Sequence, residues 1–151
     1  MKLLFPGSFD PFTIGHADLV ERALCLADEV VIAIGINDDK KPLLSTQVRK
    51  KAISDYYSNQ PRVKVVEYKG LTVDAVRDNG CDAILRGIRS VSDYDNERNL
   101  ADINRAIEDV ETVILVASQN MQHVSSSLVR ELHLFGRPVG DLVIDTFKPY
   151  F

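Results

Sequence analysis

No stretch of the sequence approaches the roughly 20 consecutive apolar residues of a membrane-spanning helix. The apolar run at the N-terminus, Met1 to Pro6, is too short for the core of a secretory leader, and Gly7 and Asp10 interrupt it. Only two cysteines are present, Cys25 and Cys81, far apart and without metal-type spacing. That usage points to a reducing, cytoplasmic setting and to two small buried side chains, with a disulfide open but unneeded at this size. Positive charge is not in excess: 18 Lys and Arg face 22 Asp and Glu, for a formal net charge of -4. Binding to polymeric nucleic acid rests on neutralising many phosphates, and docking on anionic lipid rests on polybasic clusters, so neither partner is expected. Internal repeats, linkers and low-complexity segments are absent as well. The familiar nucleotide fingerprints are also missing. Gly7 and Gly15 lie too far apart for G-x-G-x-x-G, and no Gly-Lys-Ser/Thr follows for a P-loop.

What is present is ordinary globular composition: 151 residues, 45% hydrophobic and 26% charged. Length and composition predict one domain over residues 1–151. Short apolar runs recur at Lys2–Pro6, Val30–Ile34, Val63–Val66, Ala83–Leu85 and Thr112–Val116. They are continuous rather than alternating, as expected of parallel strands buried on both faces. Helical patterns separate them: Gly15 to Ala27, a segment capped by Ser45 or Thr46 and running to about Tyr57, Thr72 to Asn79, and Asp93 to Ile107. A further helix begins at Ser126 or Ser127 and stops at Gly136, before Pro138, and Asp141 to Phe147 is apolar enough for a last short one. Strand alternating with helix predicts a doubly wound α/β domain with a five-stranded parallel sheet. Such sheets bind ligands beyond the carboxyl ends of their strands, at the switch in strand order.

The chemistry-bearing residues fall at those ends. After the first strand, Pro6 to His16 places two glycines, two prolines and several polar groups between a strand and a helix, a natural seat for phosphate. His16, in the first helical turn, reads equally as a helix cap or as a neutral donor to phosphate. After the fourth strand, Arg86-Gly87-Ile88-Arg89 offers two guanidinium forks, whose alternative reading is a pair of surface ion pairs. After the fifth, Val124 to Arg130 carries three serines, more than one cap requires. Residues Ile36 to Lys51 hold five basic residues against Asp38 and Asp39. Within that segment Lys40 is the better phosphate ligand, whereas Arg49, Lys50 and Lys51 read as a solvated helix face. No nucleophile elbow and no cysteine near a histidine suggest covalent catalysis. Many phosphate binders without a nucleophile or base suggest one substrate phosphate attacking another, with the protein supplying position and charge.

Gly7-Ser8-Phe9-Asp10-Pro11 with Thr13-Ile14-Gly15-His16 resembles the T-x-G-H signature of the nucleotidyltransferase superfamily, and Ser125-Ser126-Ser127 with Arg130 resembles its serine-rich second signature. With Lys40-Lys41-Pro42, Arg86 to Arg89, Asp93 to Glu97 and Asn104-Arg105, the sequence is similar to the bacterial phosphopantetheine adenylyltransferase family from Leu4 to about Glu131. The resemblance implies a Rossmann-like fold and transfer of adenylyl from ATP to 4′-phosphopantetheine with magnesium, giving dephospho-coenzyme A and pyrophosphate. It implies His16 as transition-state stabiliser, and Ser8, Lys40, Thr72 and Arg86 on phosphopantetheine. ATP would lie on Ser8, Phe9, His16, Gly87, Ile88, Arg89, Glu97, Met121, Gln122, His123, Val124, Ser125, Ser126 and Ser127. The residues show no dedicated carboxylate cluster for magnesium, which is expected mainly on the ATP phosphates. A homohexamer and feedback binding of coenzyme A complete the expectation. Ser8 stands where the family commonly has threonine and Arg130 where it has lysine. Met121 and His123 occupy a stretch often aromatic, and the tail after Leu134 has no clear match. The alternatives are a nucleotidyltransferase acting on nicotinamide mononucleotide or glycerol phosphate, a non-catalytic nucleotide-binding domain, and a purely structural α/β domain.

Overall fold

The computed structural model describes residues 1–151. Five strands alternate with five α-helices: β1 (Lys2–Gly7), α1 (Ile14–Ala23), β2 (Glu29–Gly35), α2 (Thr46–Tyr56), β3 (Val63–Tyr68), α3 (Thr72–Asp78), β4 (Ala83–Ile88), α4 (Val91–Glu108), β5 (Glu111–Val116) and α5 (Ser126–Leu134). Every pairing is parallel, in the order β3-β2-β1-β4-β5. The expected five-stranded doubly wound sheet is therefore present. The chain winds outward from β1 through β2 and β3, then returns past β1 to β4 and β5. The switch lies between β1 and β4, so the turns leaving these two strands diverge and open a crevice.

Alternation along each strand divides the core. Leu3, Phe5, Val30, Ile32, Ile34 and Leu85 face one side with Val20 of α1, Ile53 of α2 and Val129 of α5. Leu4, Val31, Ala33 and Ile84 face the other with Ala75 and Val76 of α3. The second layer is thinner, because α4 has no buried residue along its 18 positions.

Several sequence-based boundaries change. β4 runs on to Ile88, so Arg86, Gly87 and Ile88 belong to the strand rather than to the turn after it. α1 ends at Ala23, where Leu26 N–H reaches Ala23 carbonyl and tightens the last turn. That leaves Cys25 exposed, against the expectation of a buried cysteine; Cys81 is half-buried and both are free. The cap of α5 is Ser125, whose hydroxyl accepts from Leu128 N–H at 3.0 Å, one or two positions earlier than expected. Gly136 does close that helix: at φ +66° it allows Arg137 N–H to reach Leu132 carbonyl and its own N–H to reach His133 carbonyl. No helix forms from Asp141. Val143 instead bridges Thr13 in antiparallel fashion, Ile14 N–H donates to Leu142 carbonyl at 3.1 Å, and only a 3-10 segment follows at Asp145–Tyr150. The tail thus braces the start of α1, anchored by the fully buried Phe147. Burying such a side chain contributes about 2–3 kcal/mol.

Candidate active site

The turn after β1 is tightly built. A side chain at Gly7 would meet the Phe9 ring, since a Cβ there would lie 2.9 Å from it. Phe9 itself adopts φ +49°, a backbone conformation rare for an aromatic residue, which tucks its ring into the core. The ring packs edge-on against Phe5 at 5.1 Å and His16 at 5.2 Å. Thr13 caps α1 reciprocally with His16: Thr13 Oγ1 accepts from His16 N–H at 3.3 Å, and His16 Nδ1 accepts from Thr13 N–H at 3.0 Å. An accepting Nδ1 is unprotonated, so the neutral ring carries its proton on Nε2. Burial, helped by the charges of Arg89 and Arg86, pushes the His16 pKa down from 6.5 to about 4. The two readings of His16 are therefore compatible. One ring nitrogen caps the helix, and the other remains as an N–H donor in the cleft.

Arg86 leaves β4 beneath this turn. Its Nε and Nη2 each donate to the Glu97 carboxylate at 2.7 Å, and its Nη1 donates to Pro6 carbonyl at 2.9 Å. One N–H on Nη1 and one on Nη2 remain. Arg89 is held by Asp93, which accepts from its backbone N–H at 2.9 Å and its Nε at 3.3 Å. Both arginines therefore form ion pairs and line the cleft. Each is oriented by a carboxylate from the first half of α4.

The three serines divide their work. Ser125 caps α5, Ser126 Oγ donates to Pro11 carbonyl at 2.8 Å, and Ser127 Oγ accepts from Arg130 at 3.1 Å. Arg130 also donates to Asp10 carbonyl at 3.0 Å. The connection from β5 is tied down where Ser118 donates to Asp18 at 2.8 Å and Arg22 donates to Val116 carbonyl at 2.7 Å.

These elements enclose a cleft of about 340 Å³ that brings together Ser8, Phe9, His16, Arg86, Gly87, Arg89, Glu97, Met121, Ser125 and Ser126. Lys40 and Thr72 lie in an adjoining cavity, which shares Ser8 and Arg86 with the first. Thr72 also borders a small recess with Arg86, Glu97 and Asn104, and its hydroxyl is 3.2 Å from Tyr68 Oη. Ile88 lies outside the main cleft beside Tyr94 and Val116. Gln122 and His123 are exposed, Val124 is buried, and Ser127 is turned to Arg130. Glu97 is placed on Arg86.

Four contributors escaped the sequence reading: Thr13 as cap, Asp93 as partner of Arg89, and the pair Asp10 and Arg49. Arg49 is a correction. It is 4% exposed, not part of a solvated face, and donates to Leu44 carbonyl at 3.0 Å, Thr46 Oγ1 at 3.0 Å and Ser8 carbonyl. Lys51 is exposed as expected and pairs with Asp55. Three consecutive basic residues, Arg49 to Lys51, give no sign of which one turns inward.

Chemically, the cleft offers a neutral Nε2–H, guanidinium donors and the N-termini of α1 and α5, all suited to polyphosphate. Residues 4–132 match the family model described as Cytidylyltransferase-like, which sets the class. The phosphopantetheine adenylyltransferase of Porphyromonas gingivalis is 53% identical over 144 residues, covering 95% of this chain and 94% of its own length. That of Phocaeicola vulgatus is 46% identical over 147 residues, covering 97% of each. That of Leuconostoc citreum is 41% identical over 150 residues, covering 96% and 95%. The chain belongs to the cytidylyltransferase-like family and, within it, to the phosphopantetheine adenylyltransferases.

Proposed function

We propose that the protein transfers the adenylyl group of ATP to 4′-phosphopantetheine, forming dephospho-coenzyme A and releasing pyrophosphate. The observation that carries this reading is the neutral His16 donor set beside Arg86 and Arg89 at the sheet's switch point, with no activated nucleophile or base alongside. An oxygen of the 4′-phosphate attacks the α-phosphorus of ATP in line. A new P–O–P bond forms, the bond from the α-phosphorus to the bridging oxygen of pyrophosphate breaks, and the electron pair leaves on that oxygen. The attacking phosphate is already anionic at neutral pH, so no protein base is required. His16 Nε2–H stabilises charge developing on the α-phosphate without itself becoming cationic. Ser8 and Arg86 sit where the two cavities meet and touch both reacting phosphates. Arg89, the N-terminus of α5 and the segment Met121 to Ser127 hold the nucleotide, whereas Lys40 and Thr72 hold phosphopantetheine.

The residues do not fit a protein-held magnesium ion. No three His, Cys, Asp or Glu side chains gather at one place, and Asp93 and Glu97 already face arginines. Magnesium would enter with ATP, ligated by phosphate oxygens. A homohexamer fits the apolar stripe of Leu100, Ile103 and Ile107 on the uncovered α4. Coenzyme A, which contains both product halves, would compete for the same cleft. The free cysteines suit a cytoplasmic setting, and no helix is long and apolar enough to cross a membrane. Pyrophosphate release from ATP is the test: turnover with 4′-phosphopantetheine, and none with nicotinamide mononucleotide or glycerol phosphate, is expected. No release with 4′-phosphopantetheine overturns the reading.

A further inference from the structure

We infer that Asp10 is a positioning residue that pins the phosphopantetheine-side loop, residues 36–44, to the turn after β1. This inference rests on the proposed function for its kinetic consequence but not for its structural one. Asp10 is 6% exposed, yet its carboxylate has no arginine or lysine ion-pair partner. Both of its oxygens are spent on backbone: Oδ2 accepts from Leu43 N–H at 2.7 Å and Oδ1 from Leu44 N–H at 2.9 Å. Those two amides lie just beyond Lys40, Lys41 and Pro42, in a loop whose residues from Asn37 to Leu43 are exposed. Besides these bonds, Leu44 packs against the core at the base of the loop and Asp38 pairs with Lys69 in solvent, while Lys40 makes no ion pair of its own.

Arg49 works on the same seam from the other side. Its guanidinium joins Leu44 carbonyl to Ser8 carbonyl, so the base of the loop and the turn after β1 are bound twice, once through each side chain. Arg130 extends the seam to the nucleotide side by joining Asp10 carbonyl to Ser127. A fork spans those two acceptors where a lysine would be a single point charge. Arg130 holds the backbone of Asp10 independently of its carboxylate, so losing the carboxylate frees the Lys40 loop and leaves the turn after β1 in place. A carboxylate suits the position because it accepts on both oxygens, whereas an amide of the same size accepts on one and meets the second N–H with a donor.

The experiment is Asp10→Asn with three readouts. Trypsin cleavage after Lys40 should speed about tenfold relative to the parent protein, because the exposed loop opens more often. The KM for 4′-phosphopantetheine should rise about tenfold or more, as loss of a hydrogen bond to a charged group implies, with the KM for ATP changed less than about twofold. Amide exchange in the unsubstituted protein should be slow at Leu43 and Leu44 and fast at Lys41; this arm decides the matter if Asp10→Asn does not fold. Unchanged cleavage, equal rises in both KM values, or fast exchange at Leu43 and Leu44 each overturn the inference. Absence of turnover in the unsubstituted protein instead overturns the proposed function, and cleavage and exchange still test the pin.

Discussion

The two halves of the cleft are held by different means. In the main cleft, His16, Arg86 and Arg89 each have an assigned partner: Thr13, Glu97 and Asp93. They stand on a strand end or a helix start, so their donors are aimed before any ligand arrives. In the adjoining cavity, Lys40 stands on an exposed loop without a partner of its own; the loop is bound to buried groups only at its base, with a solvent-exposed Asp38–Lys69 ion pair further out. The difference teaches where each kind of positioning belongs. A transition-state donor must be fixed to within a fraction of an ångström, so it is built on regular elements. A ground-state phosphate ligand tolerates a mobile stem, and a loop that must admit a long substrate gains from having its firm, buried attachment at the root.

The largest effect should come from His16→Asn. Its side-chain oxygen preserves the acceptor for Thr13 N–H, but the Nε2 donor is lost, so the cap and the chemistry are separated. Steady-state kinetics should give a kcat lower by about 10²–10³ with ATP affinity nearly unchanged. An unaltered kcat would erase the contrast between the two halves. The same substitution sharpens the pH dependence. The His16 pKa is about 4 in the folded protein and 6.5 as the ordinary value. Between those values the unfolded chain binds a proton that the folded one refuses, so stability falls as pH drops from about 6.5 to 4. The loss reaches about 2–3 kcal/mol, and denaturant titrations should find it missing from His16→Asn. The rate should correspondingly lack a histidine inflection near pH 6.5.

A smaller effect is expected at the Arg86–Glu97 pair, where the carboxylate side chain is 12% exposed. Arg86→Met should lower stability by about 2–3 kcal/mol, because it strands a shielded carboxylate. The double substitution with Glu97→Gln should recover part of that stability but none of the activity. Full recovery of activity would mean that the pair is structural only. The smallest effect should be Lys40→Ala: a rise of about tenfold in the KM for 4′-phosphopantetheine, with no change in Tm or in the KM for ATP. A lowered Tm would break the comparison by making the loop part of the fold.

Local sequence patterns determined the element order, the parallel sheet and the turns that carry chemistry, because burial on both faces writes continuous apolar runs into strands and caps write serines and threonines into helix starts. His16, Arg86, Arg89 and Ser125 were legible for the same reason, since they sit at strand ends and helix starts that the pattern marks. Only the tertiary structure decided how charges pair across the fold. Arg49 and Lys51 look alike two positions apart, yet one is buried against Ser8 and Leu44 and the other lies in water. Asp10 and Leu43, 33 residues apart, meet because β1 and the loop after β2 leave neighbouring strands on the same edge. Glu97 reaches Arg86 across 11 residues because α4 folds back over β4. Likewise, the tail around Val143 is extended rather than helical where it bridges Thr13, a partner 130 residues earlier that local periodicity does not record. Periodicity records which face of an element is buried. It does not record which distant group will meet it there, and that is set by strand order and packing alone.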